Sequence, residues 1–164
     1  LDYVQISVFL SAIADIYQFQ DKKEESYAYY EQALEKNPEN ALTLNNYAYA
    51  LSEEGIELAR AEQMIKKCLT LRPEESSFLD TYAWILYKQG YYNLARTYIE
   101  EAIRNDGSRN PEILNHYGDI LLKLEEPAKA VEMWEESIKL NIDDPEPVLE
   151  KIRKQKNTDE LEVE

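Results

Sequence analysis

Cys68 and His116 carry the most reactive side chains, and each is the single residue of its type among the 164 residues. A thiol nucleophile needs an activating base, and a transition-metal site needs a second His or Cys at ligand spacing. The sequence around these two residues meets neither requirement. We therefore predict a packing role for Cys68, a surface or packing role for His116, no metal or other cofactor, and no enzymatic activity.

Pairs of adjacent glutamates are the other candidates for chemistry, because paired carboxylates can act as general acid and base. Neighbouring residues on a helix point about 100° apart, so the carboxylates of one pair do not face each other. We interpret the pairs as solvated outer faces of helices. Examples are Glu24-Glu25, Glu53-Glu54, Glu100-Glu101 and Glu135-Glu136.

The net charge of −15 limits the classes of partner. Binding to a phosphate backbone gains affinity from Lys and Arg that displace counterions, and here 33 acidic residues face 18 basic ones. We therefore expect no nucleic-acid partner and no docking on anionic lipid; a neutral or basic protein fits better. No run approaches the roughly 18 apolar residues that a membrane span needs, so we expect no direct membrane insertion by this chain.

Helices must position these residues, because only four Gly and six Pro interrupt a chain rich in Ala, Leu, Glu and Lys. A period of about 35 residues divides the chain into units at about 7–40, 41–75, 76–110 and 111–144. Small residues recur midway along the first helix of each unit and twice, seven residues apart, in the second. Since seven residues are two helical turns, the last two columns lie on one face, where helices can approach closely. The columns are Ala14, Ala48, Ala83 and Gly118; Ser26, Ala61, Ala95 and Ala130; and Ala33, Cys68, Ala102 and Ser137.

The C-terminal part follows a different pattern. Pro145 and Pro147 open a predicted helix at about 146–156, which reads as a cap on the fourth unit. Its apolar residues are expected to face the stack, and its charged residues, including Lys151, to face water. Residues 157–164 are polar and predicted to fray. Because the chain opens at Leu1 inside a helical pattern, we expect it to be a piece of a longer protein.

The spacing of small, bulky and proline positions resembles the tetratricopeptide repeat, a 34-residue helix-turn-helix unit. The resemblance covers about 7–144 and is strongest in the two central units. The second unit matches at Leu44, Tyr47, Ala48, Leu51, Gly55, Ala61, Ile65, Cys68 and Pro73. The third matches at Leu79, Tyr82, Ala83, Leu86, Gly90, Ala95, Ile99 and Ala102. The resemblance implies an all-α fold: one right-handed α-solenoid of four repeats over 1–156 with a C-terminal capping helix.

A narrower likeness concerns the stretch 44–95 followed by 116–134. These segments resemble repeat domains of bacterial cell-envelope proteins, many of them lipoproteins. That resemblance implies a bacterial source and a parent protein in the periplasm or associated with the outer membrane.

The family resemblance also implies where a ligand would bind, since first helices line the concave groove of such arrays. Carried onto this chain, the partner-binding residues are Asn45, Tyr49, Asp80, Trp84, Tyr87, Lys88, Asn115, Asp119 and Lys123, with Ser11, Asp15, Gln18 and Ser52 beside them. The third unit is neutral and carries Trp84 and Tyr87, so we expect the main contact there, although both rings could instead pack internally. No Arg-rich ring is present, so capture of a C-terminal carboxylate is not expected.

Two functions remain open at this point. The first is a protein-protein interaction scaffold that binds a peptide or protein in the concave groove. The second is a structural spacer or self-assembly domain of a larger bacterial envelope protein, which would make self-association possible. A third, enzymatic function would need a catalytic domain elsewhere in the parent chain.

Overall fold

The computed structural model describes residues 2–161, which form nine α-helices and one short 3₁₀ helix without a strand. The chain divides after Pro73 into two compact units. The first unit contains α1 (Tyr3–Phe19), α2 (Lys23–Lys36), α3 (Ala41–Glu54) and α4 (Leu58–Leu71). The second contains α5 (Ser76–Lys88), α6 (Tyr92–Arg104), the 3₁₀ helix (Gly107–Arg109), α7 (Pro111–Lys123), α8 (Pro127–Lys139) and α9 (Glu146–Leu161). The prediction of an all-α chain of helical hairpins is confirmed.

Local sequence signals explain where the helices begin. Asp2 and Gln5 form a reciprocal capping box at the start of α1. Asn40 caps α3 by accepting a hydrogen bond from the backbone N–H of Thr43, and Asn110 caps α7 in the same way. These caps satisfy N–H groups that the first turn of a helix leaves without an intrahelical partner.

The bends within the hairpins contain a residue in the left-handed backbone conformation. In the second and third hairpins this residue is glycine, Gly55 (φ 68°) and Gly90 (φ 85°), as the sequence predicted. In the first and fourth hairpins the same conformation is adopted by Asp21 (φ 56°) and Glu125 (φ 61°). Asp tolerates this region better than most residues, whereas Glu adopts it at some cost in strain. The missing glycines therefore do not alter the hairpin pattern.

The small-residue columns lie in the interior, as predicted. Every member that carries a side chain is completely buried, and Gly118 is buried as well. Bulky residues fill the space between the columns, and four of them are 0–1% exposed: Tyr30, Ile65, Ile99 and Trp134. The helices approach closely at the small residues, and the large side chains beside them fill the remaining space. The interior is therefore close-packed.

Within each unit, one tyrosine connects a first helix to the preceding second helix. Tyr47 of α3 donates a hydrogen bond to Glu31 of α2 at 2.8 Å, and Tyr117 of α7 donates one to Glu100 of α6 at 2.7 Å. A hydrogen bond from Arg96 holds the pKa of the Glu100 carboxyl below its usual range, so that this acceptor stays ionised. The contact recurs because both tyrosines directly precede the small residue of their helix.

Helix α9 covers the last hairpin of the second unit. Val148 and Ile152 are buried against Ile142, Trp134 and Leu121, as expected for a cap. The helix continues to Leu161, five residues beyond its predicted end, because no Gly or Pro interrupts residues 157–161. Residues 162–164 of the expected polar tail lie outside the described residues. The repeat boundaries, and the joining of both units into one right-handed array over 1–156, stay predictions.

Candidate functional site

In the first unit, α1 and α3 border a cavity of about 350 Å³. Asn45 and Tyr49 of α3 lie beside it. The two helices are joined by Asn40, whose Nδ2 donates a hydrogen bond to Ser7 Oγ at 3.0 Å. The cavity is lined by Asp15, Gln18, Phe19, Tyr30, Asn45, Asn46, Tyr49 and Ala50. Two of the nine predicted partner-binding residues therefore share one cavity, which both polar and aromatic side chains line.

Asp15 is the centre of the polar network in this cavity. Its carboxylate accepts a hydrogen bond of 2.6 Å from the hydroxyl of Tyr30, and two longer ones, 3.2 and 3.3 Å, from Nδ2 of Asn46. Burial, followed by the bond to Asp15, raises the pKa of Tyr30 well above its ordinary value, so the hydroxyl stays a donor. The aspartate is held in place on the cavity wall.

Two other groups in this cavity lack a partner. The side-chain oxygens Asn45 Oδ1 and Gln18 Oε1 are buried without a hydrogen bond among the residues that the structure describes. Asn45 is only 9% exposed, and its Nδ2 already donates a hydrogen bond of 3.2 Å to Oδ1 of Asn46. A buried acceptor without a donor costs about 1–3 kcal/mol. Such groups are therefore uncommon unless a ligand supplies the missing donor.

In the second unit, α5 and α7 bring Asp80 and Trp84 together with His116. Nδ1 of His116 lies 2.9 Å from Oδ1 of Asp80, and its ring stacks on the indole of Trp84 with centroids 4.2 Å apart. The ring of Tyr87 covers the indole at 4.6 Å with an interplanar angle of 6°. His116 therefore has the packing role that was one of its two predicted readings.

This ring stack changes the expectation for Trp84 as the main contact. Trp84 is 7% exposed, so little of its indole is available to a partner. Lys88 places Nζ 5.0 Å from the indole centroid, within range of a cation–π contact. Burial raises the pKa of Tyr87 to about 12. Of the two readings left open for these rings, the geometry favours internal packing.

Asn115 and Asp119 of α7 are engaged by the cap helix. Nζ of Lys151 lies 2.6 and 2.7 Å from the two carboxylate oxygens of Asp119 and donates to Oδ1 of Asn115 at 3.0 Å. The expectation that Lys151 faces water is wrong, because its long stem carries the ammonium back over α7. Lys151 takes the place beside Asp119 that Asn46 has beside Asp15, so α9 docks as the first helix of a further hairpin would.

We expect Lys151→Met to lower the free energy of unfolding by about 1–3 kcal/mol, because it leaves the largely buried Asp119 carboxylate without its cation. Urea denaturation followed by far-ultraviolet circular dichroism measures the change. Lys156→Met is the matched control: Lys156 pairs with Glu135 at the surface, and its loss should alter stability by less than about 0.5 kcal/mol. Equal effects of the two substitutions would contradict the role assigned to Lys151.

Lys123, the last of the predicted residues, is exposed, with Nζ 6.0 Å from the ring centroid of Tyr92. The predicted residues thus lie in different places: Asn45 and Tyr49 beside a cavity, Trp84 and Tyr87 in a ring stack that Asp80 and Lys88 contact, Asn115 and Asp119 beside the cap helix, and Lys123 at the surface. Tyr30 and Phe19 were not predicted to line a site. Tyr30 could have been predicted from the repeat, because Tyr30 and Trp134 share the bulky column and both carry a hydrogen-bond donor. Their partners, Asp15 and Asp119, also occupy equivalent positions.

Cys68 is completely buried and donates its S–H to the carbonyl oxygen of Ala41 at 3.3 Å. Burial raises the pKa of the thiol to about 11, so it is protonated at neutral pH and packs as a small apolar side chain.

Within residues 2–161, no three His, Cys, Asp or Glu residues lie close enough to hold a metal ion. Across the same residues, no helix combines the length and the apolar character that crossing a membrane requires.

Comparison with known proteins agrees with this architecture. Three family models described as tetratricopeptide repeat match residues 51–150, 29–63 and 9–40. The chain therefore belongs to the tetratricopeptide repeat family. Proteins of this family are in general scaffolds for protein–protein interaction rather than enzymes.

One curated relative is the TPR repeat-containing protein PA4667 of Pseudomonas aeruginosa, 29% identical over 86 residues. The match covers 52% of this chain and 14% of the relative, so the chain spans a small part of that protein's length.

Solved structures show the same fold. Pseudomonas aeruginosa pilF is 22% identical with a TM-score of 0.77, covering 98% of this chain and 72% of that one. PilW, described as a widely conserved type IV pilus biogenesis factor, is 18% identical with a TM-score of 0.75, covering 92% and 70%. The first TPR of Spaghetti (RPAP3), bound to the HSP90 peptide SRMEEVD, is 19% identical with a TM-score of 0.66, covering 76% and 99%.

Proposed function

We propose that this chain is an interaction scaffold that binds a peptide segment of a partner protein in the cavity beside Asn45 and Tyr49. The observation that supports the proposal is the pair of buried amide oxygens, Asn45 Oδ1 and Gln18 Oε1, without donors. A peptide supplies such donors through its backbone N–H groups, and Lys or Arg supplies them with charge. The exposed ring of Phe19 and the ring of Tyr49 offer apolar contact at the same place.

The chemistry of the cavity favours a basic ligand over an acidic one. Asp15 and the two orphan oxygens are all acceptors, and the chain carries a net charge of −15. The HSP90 peptide held by Spaghetti ends in Glu-Glu-Val-Asp, which has the opposite character. We therefore infer a segment with a Lys or Arg side chain directed at Asp15.

The test begins with a displayed library of random peptides panned against the chain. We expect selected peptides to be enriched in Lys and Arg, and Asn45→Leu to weaken their binding at least about tenfold, because the substitution removes the acceptor. Fluorescence anisotropy with the selected peptides measures the loss. Asn93→Leu, at an exposed position of α6, is the matched control and should bind as the parent chain does.

A second readout separates binding from folding. Asn45→Leu removes a buried acceptor that has no partner together with the hydrogen bond from Nδ2 to Asn46, so the two effects offset each other and the stability of the free chain should change by less than about 1 kcal/mol. Lower affinity with unchanged stability supports the proposal. Selected peptides that bind Asn45→Leu undiminished, or that carry mainly acidic residues, would contradict it.

The resemblance to pilF and PilW supports a second proposal, a parent protein in the bacterial periplasm or at the outer membrane. Fractionation of the source cells, with an antibody to this chain, tests that location. Recovery with the cytoplasmic fraction would contradict it.

A further inference from the structure

A second cavity, of about 180 Å³, lies between α1 and α3 next to the cavity of Asn45 and Tyr49. We call it the smaller cavity, and the one beside Asn45 and Tyr49 the larger cavity. Asp15 and Asn46 line both, so this hydrogen-bonded pair stands at the boundary between them. The smaller cavity is lined by Val8, Ser11, Ala12, Asp15, Asn40, Leu42 and Asn46.

The two cavities differ in the chemistry that they offer a ligand. In the larger cavity two buried amide oxygens have no donor. In the smaller cavity the amides of Asn40 and Asn46 each have both their oxygen and their nitrogen in hydrogen bonds within the chain. The accessible part of its wall is mainly apolar, and Val8 and Leu42 are 54% and 58% exposed. The smaller cavity therefore suits an apolar group.

The volume of the smaller cavity limits the size of that group. An apolar cavity of about 150 Å³ holds a molecule as large as benzene. At about 180 Å³, the smaller cavity has room for one aliphatic side chain such as that of Val, Leu or Ile. Covering Leu42 and Val8 with such a side chain removes apolar surface of both partners from water, which contributes to affinity.

The positions of the lining residues give the distance between the two cavities. Ser11 of α1 and Leu42 of α3 line the smaller cavity, and Gln18 and Tyr49, seven residues later on the same helices, line the larger one. Seven residues of helix span about 10 Å. A peptide in an extended or polyproline II conformation advances about 3.1–3.4 Å per residue, so it covers this distance in about three residues.

The second unit shows how an aspartate in the position of Asp15 holds an ammonium group. Asp119 of α7 binds Nζ of Lys151 at 2.6 and 2.7 Å. Asp15, at the equivalent position of α1, receives its hydrogen bonds from the hydroxyl of Tyr30 and the amide of Asn46, which are both neutral. A basic side chain of a ligand would therefore meet a carboxylate whose charge these donors leave uncompensated.

We propose that the smaller cavity binds an aliphatic side chain three positions from the basic residue that the partner directs at Asp15. This inference rests on the proposed function, and it adds a second determinant to the ligand. The partner segment then carries Lys or Arg and, three positions away, Val, Leu or Ile. In a polyproline II chain, which has three residues per turn, both side chains lie on the same side of the segment.

The peptides selected by panning are the probes for this proposal. We expect them to carry Val, Leu or Ile three positions from the Lys or Arg. Truncating that aliphatic residue to Ala should weaken binding about tenfold in fluorescence anisotropy. Leu42→Ser should weaken the binding of the selected peptides about fivefold or more, because it removes the apolar wall of the smaller cavity. Leu71→Ser is the matched control, since Leu71 of α4 is 57% exposed and lines neither cavity, and it should bind as the parent chain does.

A double-mutant cycle tests whether the contact is direct. In the Leu42→Ser chain, truncation of the aliphatic residue of the peptide should cost only about twofold or less, because the contact is already lost. Circular dichroism confirms that Leu42→Ser is folded.

The possible failures of this inference and of the proposed function differ. A tenfold loss in both chains, selected peptides without an aliphatic residue at a fixed spacing, or a spacing of seven residues as in a helical ligand would overturn the assignment of the smaller cavity alone. Binding that Asn45→Leu does not weaken would overturn the proposed function, and this inference with it.

Discussion

Trp134→Ala is expected to lower the free energy of unfolding by about 3–5 kcal/mol, the largest effect of any single substitution considered for this protein. The Trp134 side chain is completely buried, and it packs between α7 and α9 against Leu121, Val148 and Ile152. Truncation removes the transfer free energy of the indole and leaves a cavity that the surrounding helices fill only in part. It also removes the donor at Nε1, which binds Asp119 at 3.1 Å. Urea denaturation of the parent and variant chains measures the difference.

Leu140→Ala is the control for this prediction, because Leu140 follows the same helix and is 36% exposed. Its loss should change the free energy of unfolding by about 1 kcal/mol or less. A change of that size for Trp134→Ala would show that the indole is not part of a packed core.

Gly118→Ala is expected to destabilise the second unit by about 1–3 kcal/mol although alanine is the better helix former. A Cβ at Gly118 would lie 2.3 Å from Nε1 and 2.5 Å from Cδ1 of Trp134, closer than these atoms can approach. The indole cannot move away without losing its packing. Glycine is therefore required here by the neighbouring ring and not by the backbone conformation of α7.

A double-mutant cycle checks this explanation. Trp134→Ala removes all three ring atoms that a Cβ at Gly118 would meet, so Gly118→Ala should cost at least about 1 kcal/mol less in the Trp134→Ala background. Equal costs in both backgrounds would mean that the destabilisation does not come from this contact. Chemical denaturation of the four chains supplies the required free energies.

The hairpins could be predicted from the sequence because their determinants are local or periodic. Small residues seven positions apart lie on one helix face whatever surrounds them, and Gly55 and Gly90 favour the left-handed turn by themselves. Asn110 before Pro111 marks the start of a helix through short-range hydrogen bonds. Such signals act within one or two helical turns, so they can be recognised in the sequence without the tertiary structure.

The candidate site could be predicted only in part. Family resemblance implied that Asn45 and Tyr49 line a groove, which stays a prediction, and the structure places both beside one cavity. It could not show that Trp84 is enclosed by the rings of Tyr87 and His116, because that stack joins helices whose residues are up to 32 positions apart. The unpartnered oxygen of Asn45 depends on the orientation of one amide, which no spacing rule specifies.

The sequence by itself thus determined the fold class, the repeat, the interior columns and the acidic character of this protein. These features follow from composition and periodicity, which do not depend on how the helices pack. Tertiary structure decided which polar groups find partners. Lys151 reaches Asp119 across 32 residues, and the indole of Trp84 is enclosed by rings from two helices. Both outcomes depend on which helices lie next to each other, and burial and hydrogen bonding are properties of that arrangement rather than of any residue alone.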